Sequence, residues 1–144
     1  MPSVTLFFKV HQPYHLNSFA VKDISVQHSY IDAEATKIAL DAAADNCYLP
    51  SNEILLKQLR KHKGKFKICF SISCVTLEMI EQFRPDVLKS FRQLVRTGYA
   101  EILAETYYNS LSWLHSKKEF EREIDKHAAI VKRLLCTEPE VFRN

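Results

Sequence analysis

The sequence contains no CxxC pair. Its four cysteines, Cys47, Cys69, Cys74 and Cys136, stand apart, and none has a neighbouring histidine at a spacing that builds a tetrahedral zinc site. They read as free thiols. Glycine occurs only twice, at Gly64 and Gly98, and both positions read as helix ends. No apolar run approaches the roughly 20 residues that a membrane-spanning helix needs. The opening MPSVTLFFKV lacks the basic region, long apolar stretch and small-residue cleavage site of a secretory signal. These absences argue against a membrane partner and for a cytoplasmic location. Long blocks of one charge are missing as well: 20 basic and 17 acidic residues, net +3, are scattered along the chain, which leaves no footprint for nucleic acid. The densest basic run, Arg60 to Lys65, could be a phosphate-binding patch, but we read it as the cationic last turn of a helix closed by Gly64. There is no low-complexity tract and no repeat of solenoid period.

What is present suits one globular core. The 144 residues are 47% hydrophobic and 26% charged, and a compact fold of this size buries roughly 68–70% of its unfolded surface. From Ser3 to Val10 the residues are almost all apolar or β-branched, as in a strand covered on both faces. Pro13 ends that strand, because proline has no N–H for a ladder and biases the preceding residue. A polar, irregular stretch to about Tyr30 is long for a structureless connection, which points to function. Alanine-rich residues near Ile31 to Asn46 predict a helix, and a second is expected after Pro50, capped by Ser51 and running toward Gly64. Phe66, Ile68, Phe70 and Ile72 alternate with Lys67, Cys69, Ser71 and Ser73, the period of a strand.

Helical spacing follows from about Thr76 to Arg96, interrupted or restarted near Pro85, and Gly98 ends it. Tyr99 to Tyr108 reads as a third strand, and SLSWLH as a loop or short turn. Ser116 and Glu119 form a capping box at the head of a last helix that places Phe120, Ile124, Ala128, Val131 and Leu135 on one face. A further strand is expected to begin at Val141. Strands alternating with helices imply an α/β fold with parallel strands joined by right-handed crossovers. Periodicity leaves open whether the sheet is open or part of a barrel.

Two strand ends carry chemistry. His11 stands at the carboxyl end of the first strand, where parallel α/β folds place ligands, with Gln12, Tyr14 and His15 beside it. The third strand ends in Glu105, Thr106, Tyr107, Tyr108 and Asn109, with Trp113 beyond. Period-two geometry puts Glu101, Leu103 and Glu105 on one face. Carboxylates there are either salt-bridged or at an exposed edge, or they face a polar ligand, because an unpaired buried charge is costly. Aromatic faces with carboxylates and amides are the parts of a carbohydrate site. A glycosidase needs two acids about 5–5.5 Å apart for retention or ~6.5–9.5 Å for inversion. Glu101 and Glu105, four strand residues apart, are separated by roughly 13 Å and are not that pair with each other.

The blocks FFKVHQPYH, CYLPSNEILL, FKICFSISCVTLEMIEQFRPDVLKSFRQLVRTGYAEILAETYYNSL, EFEREIDKH and EPEVFRN resemble, in order and over essentially the whole chain, glycoside hydrolase family 57, nearest its α-amylase-like members. The resemblance implies an incomplete, seven-stranded β/α barrel, of which residues 1–144 would be the amino-terminal portion, truncated at the carboxyl end, with about three βα units and the start of a fourth strand. It implies retaining hydrolysis or transfer on an α-glucan or maltooligosaccharide, without metal or organic cofactor. The family's first motif matches His11-Gln12-Pro13, with His11 in the donor-sugar site. Its second matches Gly98 to Ile102, with Glu101 as the site carboxylate. His11, Gln12, Glu101 and Glu105 are the expected substrate-binding residues. The implied nucleophile would follow Phe142-Arg143-Asn144, just beyond the last residue, and the implied acid later still, so the expected segment is inactive alone.

Two positions depart from the family: Cys74 stands where glycine is common, and Asn109 where histidine is common. Two other readings are open to the sequence. One is a short non-catalytic carbohydrate-binding or regulatory protein of the same descent. The other is a different β/α-barrel enzyme such as a deacetylase, which would need a metal-ligand cluster the sequence lacks. A barrel stopped at its fourth strand also predicts self-association through unpaired strand edges.

Overall fold

The computed structural model describes residues 4–23 and 29–143. The expected strand start at Ser3, residues 24–28 of the long polar stretch, and Asn144 lie outside the described residues. Three strands, β1 (Leu6–Val10), β2 (Ile68–Ile72) and β3 (Ala100–Ile102), form a parallel sheet in the order β1-β2-β3. Phe8 pairs with Phe70, and Phe70 with Ile102. Because the order is consecutive and crossovers are right-handed, the connecting helices fall on one face of the sheet.

That face is the core. Ile68, Phe70, Ile72, Ala100 and Ile102 alternate onto it and meet Leu40, Leu59, Leu77, Ile80, Phe91 and Leu94 from the helices, nearly all with little or no exposure. Phe70 lies edge-on to Phe91 with ring centres 5.5 Å apart and against Phe8 at 5.3 Å, the offset geometries aromatic quadrupoles favour. The opposite face carries Phe7, Lys9, Cys69, Ser71 and Glu101, a set too polar for a second core layer.

The helices are α1 (Ala33–Ala43), α2 (Leu49–His62), α3 (Cys74–Phe83), α4 (Pro85–Val95) and α5 (Lys117–Leu135). Asp32 caps α1 by accepting from the Ala35 N–H at 2.8 Å, and Ser116 caps α5 by accepting from the Glu119 N–H at 3.2 Å. The break expected at Pro85 falls between α3 and α4, where proline's fixed φ suits a first turn.

The expected gap between the first two helices is absent. A π turn, Ala44–Tyr48, joins α1 to α2 in one helical path, with the Leu49 N–H donating to the Ala44 carbonyl. Pro50 cannot donate and its ring would crowd a carbonyl of the preceding turn, and the wider turn makes room for it. Ser51 is therefore inside the helix and is no cap.

The third strand is shorter than Tyr99–Tyr108. Beyond Ile102 the Leu103 N–H still reaches the Phe70 carbonyl (2.8 Å), and then a single parallel bridge links Ala104 to Phe142, through Ala104 N–H to Val141 O and Arg143 N–H to Ala104 O, both 2.8 Å. Among the described residues this bridge is all that stands where a fourth strand was expected. The polar stretch after β1 contains a 3-10 turn, Val21–Asp23, and is pinned at its base by the Leu16 to Ile31 bridge.

Candidate functional site

Polar side chains converge at the carboxyl ends of β1 and β2. His11 follows β1 and is half-buried; Ser73 follows β2 and is fully buried. The His11 Nδ1 lies 2.7 Å from Ser73 Oγ, which lies 2.9 Å from Thr76 Oγ1, and Thr76 Oγ1 accepts from the Gln12 N–H at 2.7 Å. The sheet itself enforces the approach, since the Ser73 N–H donates to the Val10 carbonyl at 3.2 Å. With Nδ1 engaged, Nε2 is the His11 nitrogen left for a ligand.

A second cluster sits beside it on the same sheet face. The Lys9 ammonium donates to Ser71 Oγ (3.2 Å), to Asn109 Oδ1 (2.8 Å) and, in a short contact, to Glu105 Oε2. Ser71 also donates to that oxygen. Glu105 is only 1% exposed, so its charge needs the Lys9 partner it has. Its other oxygen, Oε1, has no hydrogen-bond partner among the described residues. Asn109 holds a left-handed backbone (φ 56°), a conformation asparagine tolerates better than most residues and one that turns its amide back toward Lys9.

Glu101 lies apart from both clusters. It stands in β3 opposite Cys69 in register and is exposed, nearer the amino end of the sheet. There it borders two shallow clefts, one of about 300 Å³ shared with Lys67, Tyr99 and Glu138, the other beside Lys65 and Cys69. Burial pushes the Cys69 thiol up and the Glu101 charge adds to it, while Arg143 opposes both. Arg143 reaches across this face to lie 4.0 Å over the Phe7 ring.

Aromatic groups rim the strand ends. Tyr107 is buried, donates to Glu78 Oε1 in a short hydrogen bond, and lies edge-on to Tyr108 at 4.6 Å. Burial, then the bond to Glu78, pushes the Tyr107 phenol well up; burial, then the Glu78 charge, also raises that of the half-buried Tyr14. Tyr108 and Trp113 are exposed at 51% and 55%, enough to offer flat faces to a ligand. Among the described residues no group of three His, Cys, Asp or Glu side chains could hold a metal ion, and no helix is long and apolar enough to cross a membrane.

The structure thus brings His11 and Gln12 together, sets Glu105 in the adjoining buried cluster, and leaves Glu101 further down the same face. Sequence reading overlooked Lys9, Ser71, Ser73, Thr76 and Glu78. A signal existed for the first three: Lys9 is the one charge inside an apolar strand, and Ser71 and Ser73 repeat at the strand period on the side chain face that His11 shares.

Comparison with known proteins follows the same line. Residues 5–144 match glycosyl hydrolase family 57. A putative alpha-amylase of Methanocaldococcus jannaschii is 35% identical over 147 residues, an alignment covering 98% of this chain and 30% of that protein, so the chain spans under a third of that relative's length. Among solved structures, a 4-alpha-glucanotransferase from Thermococcus litoralis superposes with a TM-score of 0.61 at 20% identity, over 92% of this chain and 18% of that one. A family 57 branching enzyme from Thermococcus kodakaraensis, in complex with glucose, gives 0.61 at 16% identity, over 94% and 31%. At those identities the two structures speak for a shared fold. The chain belongs to glycosyl hydrolase family 57 and matches the amino-terminal part of its catalytic domain.

Proposed function

We propose that residues 1–144 are the amino-terminal portion of a retaining, α-glucan-acting hydrolase or glucanotransferase barrel, and that this segment binds glucan without cleaving it. In this reading His11, Gln12 and Glu101 contact sugar hydroxyls on the open sheet face, with Tyr108 and Trp113 offering rings to the apolar sugar faces. Glu105 acts at the site through Lys9, whose ammonium it holds at the strand ends.

One observation carries the reading. The two candidate site carboxylates, Glu101 and Glu105, stand roughly 13 Å apart along the strand direction, and Glu105 is already neutralised by Lys9. Retaining hydrolysis requires a nucleophile and an acid about 5–5.5 Å apart, so binding is the chemistry this segment can offer. The test pairs two measurements on the purified chain. Reducing-end release from amylose should be undetectable, while calorimetry should record maltooligosaccharide binding that Glu101→Gln weakens. Turnover abolished by Glu101→Gln would refute the non-cleaving reading, and absence of binding by a folded chain would refute the sugar site.

A further inference from the structure

We propose that Ser73 and Thr76 are positioning residues that hold His11 as the tautomer protonated on Nε2, so that its ring presents a hydrogen-bond donor to a sugar oxygen. The sugar as ligand rests on the function proposed above; the tautomer does not.

The direction of the chain of hydrogen bonds follows from its fixed end. A backbone N–H can only donate, so Thr76 Oγ1 accepts from Gln12. The Thr76 hydroxyl hydrogen then has two places to go: Ser73 Oγ at 2.9 Å or the Gln12 carbonyl at 3.4 Å. The first is an ordinary O–H···O distance and the second lies beyond that range. With Thr76 donating to Ser73, the Ser73 hydrogen is directed to His11 Nδ1 at 2.7 Å. Nδ1 is thereby the acceptor and the ring proton sits on Nε2. The opposite arrangement would spend the Thr76 hydrogen on the 3.4 Å contact.

Two further features fit a dedicated relay. Ser73 and Thr76 are both fully buried, so water does not compete for their hydroxyls. Ser73 also occupies the N-cap position of α3, where a serine normally accepts a backbone N–H, yet its side chain makes no such cap. Its oxygen is turned to Thr76 and His11 instead.

Long-range proton–nitrogen correlation of the imidazole rings reads the tautomer directly. The experiment uses the 15N-labelled chain at mildly alkaline pH, where ordinary imidazoles are neutral, with His11 assigned by the signals that His11→Gln removes. Wild type should show an acceptor-type Nδ1 and a protonated Nε2. Ser73→Ala should return the ring to the tautomer mixture of a solvated histidine, Thr76→Val should do so in part, and Thr76→Ser should keep the wild-type pattern. A wild-type ring protonated on Nδ1 overturns the proposal without recourse to any variant. So does an unchanged tautomer in folded Ser73→Ala. Maltooligosaccharide titration separates the layers: if wild type binds, Ser73→Ala should weaken binding roughly tenfold, about the worth of one directed hydrogen bond. If the tautomer behaves as stated and no glucan binds, the sugar reading fails and the positioning role stands.

Discussion

Lys9 has three N–H bonds to give, and Ser71, Glu105 and Asn109 take one each. Removing the ammonium leaves a carboxylate buried without its counter-charge, the costly half of a broken ion pair. Lys9→Met should therefore lower stability by about 3 kcal/mol in urea denaturation, and adding Glu105→Gln should restore most of the loss. A second buried group sets a pH response. Burial lowers the His127 pKa, partly offset by its hydrogen bond to the Ile72 carbonyl and the charge of Glu105, with Lys9 adding to the lowering. The unfolded chain then binds the proton more readily than the folded one, so stability is fully present above the ordinary histidine pKa of about 6.5 and is lost as pH falls below it. Thermal unfolding from pH 7.5 down to about pH 5.5 should show that decline, and His127→Gln should flatten it. Glu105 was legible in the sequence as a candidate site carboxylate, but its pairing with Lys9, the lone charge in β1, was not, because the two are 96 positions apart and only the parallel register brings them together.

At the scale of elements, the two glycines differ in a way that sequence could not show. Both have left-handed backbones, φ 86° at Gly64 and 73° at Gly98, but a Cβ on Gly64 would stand 3.1 Å from Tyr99 Cε1, whereas one on Gly98 would meet nothing within 4 Å. Gly98→Ala should cost the backbone penalty alone, about 1–2 kcal/mol, and Gly64→Ala measurably more, with both read from denaturation midpoints. Arg84, between α3 and α4, joins Asp41, Asp45 and Asp86 and so ties the end of α1 and the π turn to the start of α4. Those carboxylates are solvent-screened, so Arg84→Ala should lower stability by only about 1 kcal/mol. The Ser116 cap and the strand alternation of Phe66 to Ile72 were legible because they are local and follow from neighbouring residues. The uninterrupted α1 to α2 path was not, since Pro50 ordinarily signals a break and its accommodation depends on the turn before it.

For the whole molecule, edges decide behaviour. Among the described residues β1 is paired along one side only, and Val4 and Leu6 are exposed beside its other side at 86% and 41%, while Val141 and Phe142 are exposed beyond β3. Such edges recruit further strands. Sedimentation of the purified chain should show concentration-dependent association, weakened by Leu6→Lys; a concentration-independent monomer would count against this. The α/β class and the order of elements were readable from alternating periods, but the curvature of the sheet was not, because closure depends on strand pairings that periodicity does not encode.

The π turn between α1 and α2 has a consequence for insertions and deletions. Thr36 and Leu40 before it, Ala44 at its start, and Asn52 and Leu59 after it all face inward, although a regular helix turns about 100° per residue. The turn is a phase correction of one residue. Deleting Cys47, an exposed side chain within the turn, would remove that extra residue and regularise the helix with Leu59 still facing the core. The cost would fall on Pro50, whose ring loses the room the wider turn gives it, so this deletion would test the proline and leave the core in place.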